Sequence, residues 1–153
     1  MAALAVACGS APSGPGTPAA TPPAGRITID GSPSSVGTVL TGPGGRTLYV
    51  LLDGQGKEVA CSGGCRTLWP PVIAVPGSPR AGSGVTAPLS TVAAGGGTVV
   101  LTVSGVPVHY YVGDTARGDA NGEGVSSYGG TWYALQPDGR PLQPGSEGNP
   151  YGY

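Results

Sequence analysis

Apolar and polar positions alternate along this chain in short runs, and the period is that of strands. Arg26 to Asp30 sets Ile27 and Ile29 between polar neighbours, which predicts a short strand. Val36 to Thr41 predicts another. The turn Gly42-Pro43-Gly44-Gly45 then separates it from Arg46 to Leu52, a run rich in β-formers, so the pair reads as a hairpin. Further on, Thr98 to Val103 and Val106 to Val112 flank Ser104-Gly105 and predict a second hairpin with a tighter turn. No window sustains a helical period, although Leu89 to Ala94 is long enough for one short turn.

The two hairpins are written alike. Overlaid without gaps, Val39-Leu40-Thr41 falls on Val100-Leu101-Thr102, Tyr49 on Tyr110 and Asp53 on Asp114. Each hairpin leads into a glycine-rich loop and then a tryptophan strand, Leu68-Trp69-Pro70-Pro71-Val72-Ile73 in one half and Thr131-Trp132-Tyr133-Ala134-Leu135 in the other. An internal duplication follows. The predicted fold is all-β: two related antiparallel meanders in one small sheet or sandwich domain, since neither half alone buries a useful core. Repeat 1 is placed at 36–76 and repeat 2 at 85–139, with a loose tail over 140–153.

Composition narrows the function classes. The chain has 153 residues, 30 of them Gly and 17 Pro, with no Phe, so the core must come from aliphatic residues, Tyr and two Trp. Net charge is −1 and Lys57 is the sole lysine. Nothing resembles the basic stripe that binds nucleic acid. No run of about 18 apolar residues is present to span a membrane as a helix.

The first residues, Met-Ala-Ala-Leu-Ala-Val-Ala-Cys-Gly-Ser, resemble the end of a bacterial lipoprotein signal (residues 1–8), whose cysteine is lipidated. That resemblance makes Cys8 the lipidation site and the membrane a partner through its anchor. Residues 9–35 read as a linker. Its first part, Gly9 to Gly25, holds only Gly, Ala, Ser, Thr and Pro, too little apolar surface to offset its ordering entropy. With Cys8 assigned to lipid, Cys61 and Cys65 remain for each other.

The ordered motifs of the two halves resemble a family of bacterial secreted-repeat lipoproteins of unknown function, known for a Tyr-x-aromatic-x-x-Asp motif. The residues that carry the resemblance are Arg46-Thr47-Leu48-Tyr49, Cys61 to Cys65, Trp69-Pro70-Pro71, Pro107 to Asp114, Gly118-Asp119 and Gly130-Thr131-Trp132-Tyr133. Read against that motif, the second half is His109-x-Tyr111-x-x-Asp114, with histidine in the place of tyrosine. The first half has Leu51 where an aromatic is usual, and Asp53 arrives one residue early. The resemblance implies an extracytoplasmic, lipid-anchored envelope protein with Tyr49, Asp53, Trp69, His109, Tyr110, Tyr111, Asp114 and Trp132 at the motif positions. It implies no activity.

Three groups of residues carry candidate chemistry. In an exported protein Cys61-Ser-Gly-Gly-Cys65 predicts a disulfide closing a short loop. The rival reading is a thiolate pair binding copper(I) with His109 as third ligand. Asp114, Asp119, Asn121 and Glu123 set oxygen-bearing side chains along a glycine-bent loop, as a calcium site requires; the bland alternative is turn capping. His109 and Tyr111 fall on one face of their strand and Tyr110 on the other, so an aromatic row serves either packing or a flat ligand. The lone histidine has no nucleophile motif near it, and no phosphate-cradling glycine loop opens a helix. The expected role is a non-catalytic envelope or surface binding module with an unknown envelope or extracellular ligand and no cofactor. The alternatives are a copper or redox protein using Cys61, Cys65 and His109, and a structural envelope component.

Overall fold

A computed structural model describes residues 26–74 and 79–143. The chain runs through β1 (Thr28–Ser34), β2 (Gly37–Gly42), a 3₁₀ turn (Pro43–Gly45), β3 (Arg46–Thr47), β4 (Tyr49–Leu52) and a single helical turn α1 (Cys65–Leu68). It continues with β5 (Ile73–Ala74), β6 (Arg80–Ala81), β7 (Leu89–Gly95), β8 (Thr98–Val103), β9 (Val106–Pro107), β10 (Ser126–Ser127) and β11 (Gly130–Ala134). The strand orders are β3-β2-β1-β6, β10-β11-β4 and β5-β8-β7, with β9 also on β8. The all-β prediction holds.

Two hairpins frame the domain. β1 pairs antiparallel with β2, setting Gly31 opposite Leu40, and β7 pairs antiparallel with β8, setting Thr91 opposite Leu101. The first strand of the first hairpin, β1, lies ahead of the expected repeat 1, whereas β7 lies within the expected repeat 2. The strand expected over Arg26 to Asp30 is present and runs on to Ser34, into the stretch expected as linker, and Ile27 and Ile29, both buried, tie it to the core. Leu89 to Ala94 is strand and not a helical turn, because β8 presents an unpaired edge to it. At the other end, residues 140–142 are not loose. Leu142 donates its N–H to the Ala134 carbonyl at 2.7 Å and is buried, so this stretch continues the ladder of β11.

The duplication is a pseudo-twofold exchange of strands. After each hairpin the chain bends back, and Leu48 N–H donates to Leu40 O (3.0 Å) as Val108 N–H donates to Leu101 O (3.1 Å). Each hairpin is then completed by the tryptophan strand of the other repeat. Leu40 N–H donates to Leu135 O at 2.7 Å and Leu101 N–H to Val72 O at 2.8 Å. Leu135 N–H donates to Leu48 O and Val72 N–H to Val108 O, both at 3.1 Å. The axis passes between Tyr49 and His109, whose backbones exchange both hydrogen bonds, at 2.9 and 3.0 Å.

This pairing corrects the gap-free overlay. Leu40 corresponds to Leu101, but Tyr49 corresponds to His109, not Tyr110. The turn Ser104-Gly105 holds both residues at positive φ (52° and 82°), the geometry of a two-residue hairpin turn, and is shorter than the glycine turn at Pro43–Gly45. The missing residue shifts the register of everything after it.

The central strands divide the core. Leu48, Val50, Leu52, Leu101, Val108 and Leu135 belong to an aliphatic cluster on one side. Tyr49, Leu51, Trp69, Trp132, Ala134 and the disulfide cysteines form an aromatic cluster on the other. Strand alternation makes the division, since successive side chains point to opposite faces.

Candidate functional site

The aromatic cluster is where the motif residues meet. Trp69 and Trp132, both essentially without exposure, stack at 3.9 Å with their planes 6° apart. Tyr111 stacks on the other face of the pair at Trp69 (4.2 Å, 23°). Tyr49 meets Trp69 edge-on at 5.5 Å and 81°, and His109 meets Trp132 edge-on at 5.3 Å and 76°. Such offset and edge-to-face contacts favour the ring quadrupoles beyond simple burial. Tyr110 faces the opposite way, onto the aliphatic cluster, with the Arg46 guanidinium 4.2 Å above its ring. The predicted split of His109 and Tyr111 from Tyr110 is what the strand delivers.

Tyr49 and His109 occupy equivalent places with opposite polar fates. The Tyr49 hydroxyl donates to Asp114 Oδ2 at 2.7 Å and accepts from Gly122 N–H at 3.3 Å. Asp114 Oδ1 accepts in turn from Asn121 N–H at 2.9 Å. Burial and the Asp114 hydrogen bond push the phenol far above its ordinary range, and burial also raises Asp114. Position 122 must be glycine, because a Cβ there would stand 2.7 Å from the Trp69 ring. His109 has no such network. Its Nδ1 is enclosed without a hydrogen-bond partner, and burial, helped by the nearby Arg66 charge, lowers its pKa to about 4. The imidazole is therefore neutral at physiological pH.

His109 instead lines a cleft of about 340 Å³. Glu58, Cys61 and Arg66 come to this cleft from the first-repeat loop and α1; Ile73, Val92 and Val100 come from β5, β7 and β8. Arg66 is steadied by donating Nε–H to the Cys61 carbonyl at 3.1 Å. Ile73 and Val92 are 54% and 44% exposed, large apolar side chains left open to solvent. The cleft thus combines apolar walls, one cation, one carboxylate and a neutral imidazole, the mixture found in small-molecule sites. Glu58, Arg66, Ile73 and Val92 were not singled out in the sequence. They meet only because β5 crosses to the other repeat's hairpin, and no local motif signals that crossing.

Cys61 and Cys65 form a disulfide with Cα atoms 5.4 Å apart. In this state the sulfurs offer no thiolate, so a copper(I) set with His109 requires prior reduction. The acidic loop is occupied by internal partners. Asp119 Oδ2 accepts from Thr115 and Ala116 N–H, both at 3.0 Å; Asn121 Nδ2–H donates to Gly113 O; Glu123 Oε2 accepts from Ala134 N–H at 2.6 Å. Burial raises the Glu123 pKa to about 7. Asp53 likewise caps its own turn, accepting from Gln55 and Lys57 N–H. Among the described residues no group of three or more His, Cys, Asp or Glu side chains converges to hold a metal ion. Cys8 lies outside the described residues.

The class defined here is a two-repeat all-β domain with exchanged tryptophan strands and a stapled loop. A family model described as a secreted repeat of unknown function matches residues 90–136, and over that span the resemblance read from the motifs holds. Repeats of that description are secreted, which places the domain outside the cytoplasm. No curated protein and no solved structure matches the chain. Among the described residues no helix is long and apolar enough to cross a membrane.

Proposed function

We propose that this chain is a lipid-anchored envelope protein whose domain is a non-catalytic binding module, and that its ligand site is the cleft beside His109. The cleft itself carries the reading: open apolar side chains at Ile73 and Val92 stand around a small polar set of His109, Glu58 and Arg66. Exposed apolar walls with few convergent polar groups suit a bound small molecule. Among the described residues no nucleophile is paired with His109, which favours binding over turnover: its neighbour among the rings is Trp132, and its enclosed nitrogen has no partner to take a proton from.

A fragment screen by thermal shift tests the site. Compounds that raise the melting temperature of the wild type and not of Ile73→Arg are expected. If no compound separates the two proteins, the cleft is not the ligand site. The anchor is tested apart from the domain. Expressed in a bacterium behind a lipoprotein signal that ends at Cys8, the protein is expected in the detergent phase of a Triton X-114 partition, and Cys8→Ser in the aqueous phase. Equal partition of both would remove the lipid anchor from the reading.

One observation favours the copper or redox alternative enough to keep it: Cys61 and His109 line the same cleft. Two reactive thiols and bound copper in protein purified without reductant would favour it over the binding module. The Arg66 charge in the same cleft works against a cation there.

A further inference from the structure

The inference here rests on the cleft being a ligand site and concerns the class of ligand. The pseudo-twofold axis lets the closed half of the domain serve as a template for the open half. Tyr49 and His109 exchange backbone hydrogen bonds across the axis, and each ring stands edge-on to the tryptophan of its own repeat at nearly the same separation, 5.5 and 5.3 Å. On the Tyr49 side the phenol extends past the indole and ends on a carboxylate from the other repeat's loop, Asp114, at 2.7 Å. The smaller imidazole of His109 stops short of that reach. Beyond it lies the cleft, and the other repeat's loop again contributes a carboxylate to its wall, Glu58.

We propose that the cleft binds a small phenol, whose ring takes the space that the tip of Tyr49 fills in the other half and whose hydroxyl meets Glu58. The walls fit a flat apolar ring, with Ile73, Val92 and Val100 on the strand side. They do not fit a sugar as well. Stacking of a pyranose needs an open aromatic face, and the one aromatic ring on the cleft wall, His109, is 8% exposed while Trp132 is fully covered. A bare hydrocarbon would make no use of the Glu58 carboxylate on the cleft wall. A metal cation is disfavoured by Arg66.

The test is a chemical-shift titration of the full chain with p-cresol, toluene and cyclohexanol. With p-cresol the amides of Ile73, Val92 and His109 are expected to move, with affinity about tenfold above that for toluene, the worth of one good hydrogen bond. His109→Tyr supplies the phenol from the chain itself and is expected to lose p-cresol binding at least tenfold while keeping native spectral dispersion. Should that variant unfold, Val92→Trp fills the cleft from an exposed edge position and is expected to lose binding in the same way. Glu58→Gln is expected to weaken p-cresol and leave toluene unchanged. If toluene or cyclohexanol binds as tightly as p-cresol, or if His109→Tyr and Val92→Trp both keep p-cresol affinity, the phenol proposal falls and the cleft remains a site for another ligand. If none of the three probes moves a cleft amide, the phenol proposal falls here too, and the fragment screen on Ile73→Arg decides separately whether the cleft binds anything.

Discussion

The Tyr49 half and the His109 half of this domain share one backbone plan and end differently. In both, a hairpin receives the other repeat's tryptophan strand, and a ring stands edge-on to a buried indole. Where the ring is tyrosine, its hydroxyl is consumed by Asp114 and Gly122 and the space is closed. Where it is histidine, Nδ1 has no partner and a cleft opens alongside. The loops differ as well. The first-repeat loop is stapled by Cys61–Cys65, whereas the second-repeat loop is held by Asp114, Asp119 and Glu123 accepting backbone and phenol protons. A duplicated fold can thus close the space beside the ring in one copy and leave it open in the other, because pairing of the strands does not depend on what the equivalent side chain does at its tip.

The largest effect tests what the halves share. Trp69→Ala and Trp132→Ala each remove one face of the 3.9 Å stack from a site with almost no exposure, and each is expected to cost about 3–5 kcal/mol in urea unfolding. A large inequality between them would show that one half carries the core. Next comes the difference at the rings. Tyr49→Phe leaves Asp114 and Gly122 N–H short of a partner and is expected to cost about 2 kcal/mol. His109→Phe removes an unpartnered nitrogen and is expected to change stability by less than about 1 kcal/mol. Equal losses would erase the contrast between the halves.

The loops supply a third comparison. Replacing Cys61 and Cys65 by Ser is expected to cost about 2 kcal/mol, the low end for a disulfide, because the closed loop is so short. The last prediction concerns pH. The folded pKa of His109, about 4, lies below its unfolded value of 6.5, so its contribution is full above pH 6.5 and is lost as pH falls toward 4. That loss is on the order of 3 kcal/mol and is absent in His109→Phe. Glu123 acts oppositely and more weakly. Its folded pKa, about 7, lies above 4.5, so its contribution is full below pH 4.5 and declines as pH rises through 7. The group is half open to solvent and screening reduces the effect to about 1 kcal/mol. Denaturation midpoints of wild type, His109→Phe and Glu123→Gln across pH 4–8 separate the two slopes; parallel curves would refute both assignments.

Much of the fold was readable from periodicity. The β2 and β8 strands, the two turns, the Trp132 strand and the opposed faces of Tyr110 and Tyr111 all follow from alternation and turn chemistry, which are local. The strand expected over Leu68 to Ile73 is instead the end of α1, with Trp69 at its cap, and becomes strand only at Ile73–Ala74. What was misplaced depends on partners far away in sequence. The strand read over Arg26 to Asp30 stops short because Gly31, Ser32, Pro33 and Ser34 are turn-formers, yet β2 pairs with all of them. Leu89 to Ala94 carries no strong strand signal and is recruited by β8. The gap-free overlay put Tyr49 on Tyr110 because a one-residue difference in turn length is invisible until backbone partners are known. Of the candidate site, Cys61 and His109 were legible as residue types, while Glu58, Arg66, Ile73 and Val92 were not.

Alternation, turn residues and cysteine spacing, all properties of the sequence by itself, determined that this chain forms short antiparallel strands, twice over, with a stapled loop and rings facing a common side. Only the tertiary structure decided that each hairpin is closed by the other repeat's tryptophan strand, since β-ladders pair groups regardless of their distance along the chain. That exchange stacks Trp69 on Trp132, sets Tyr49 against a carboxylate from the opposite repeat, and leaves His109 beside an open cleft instead.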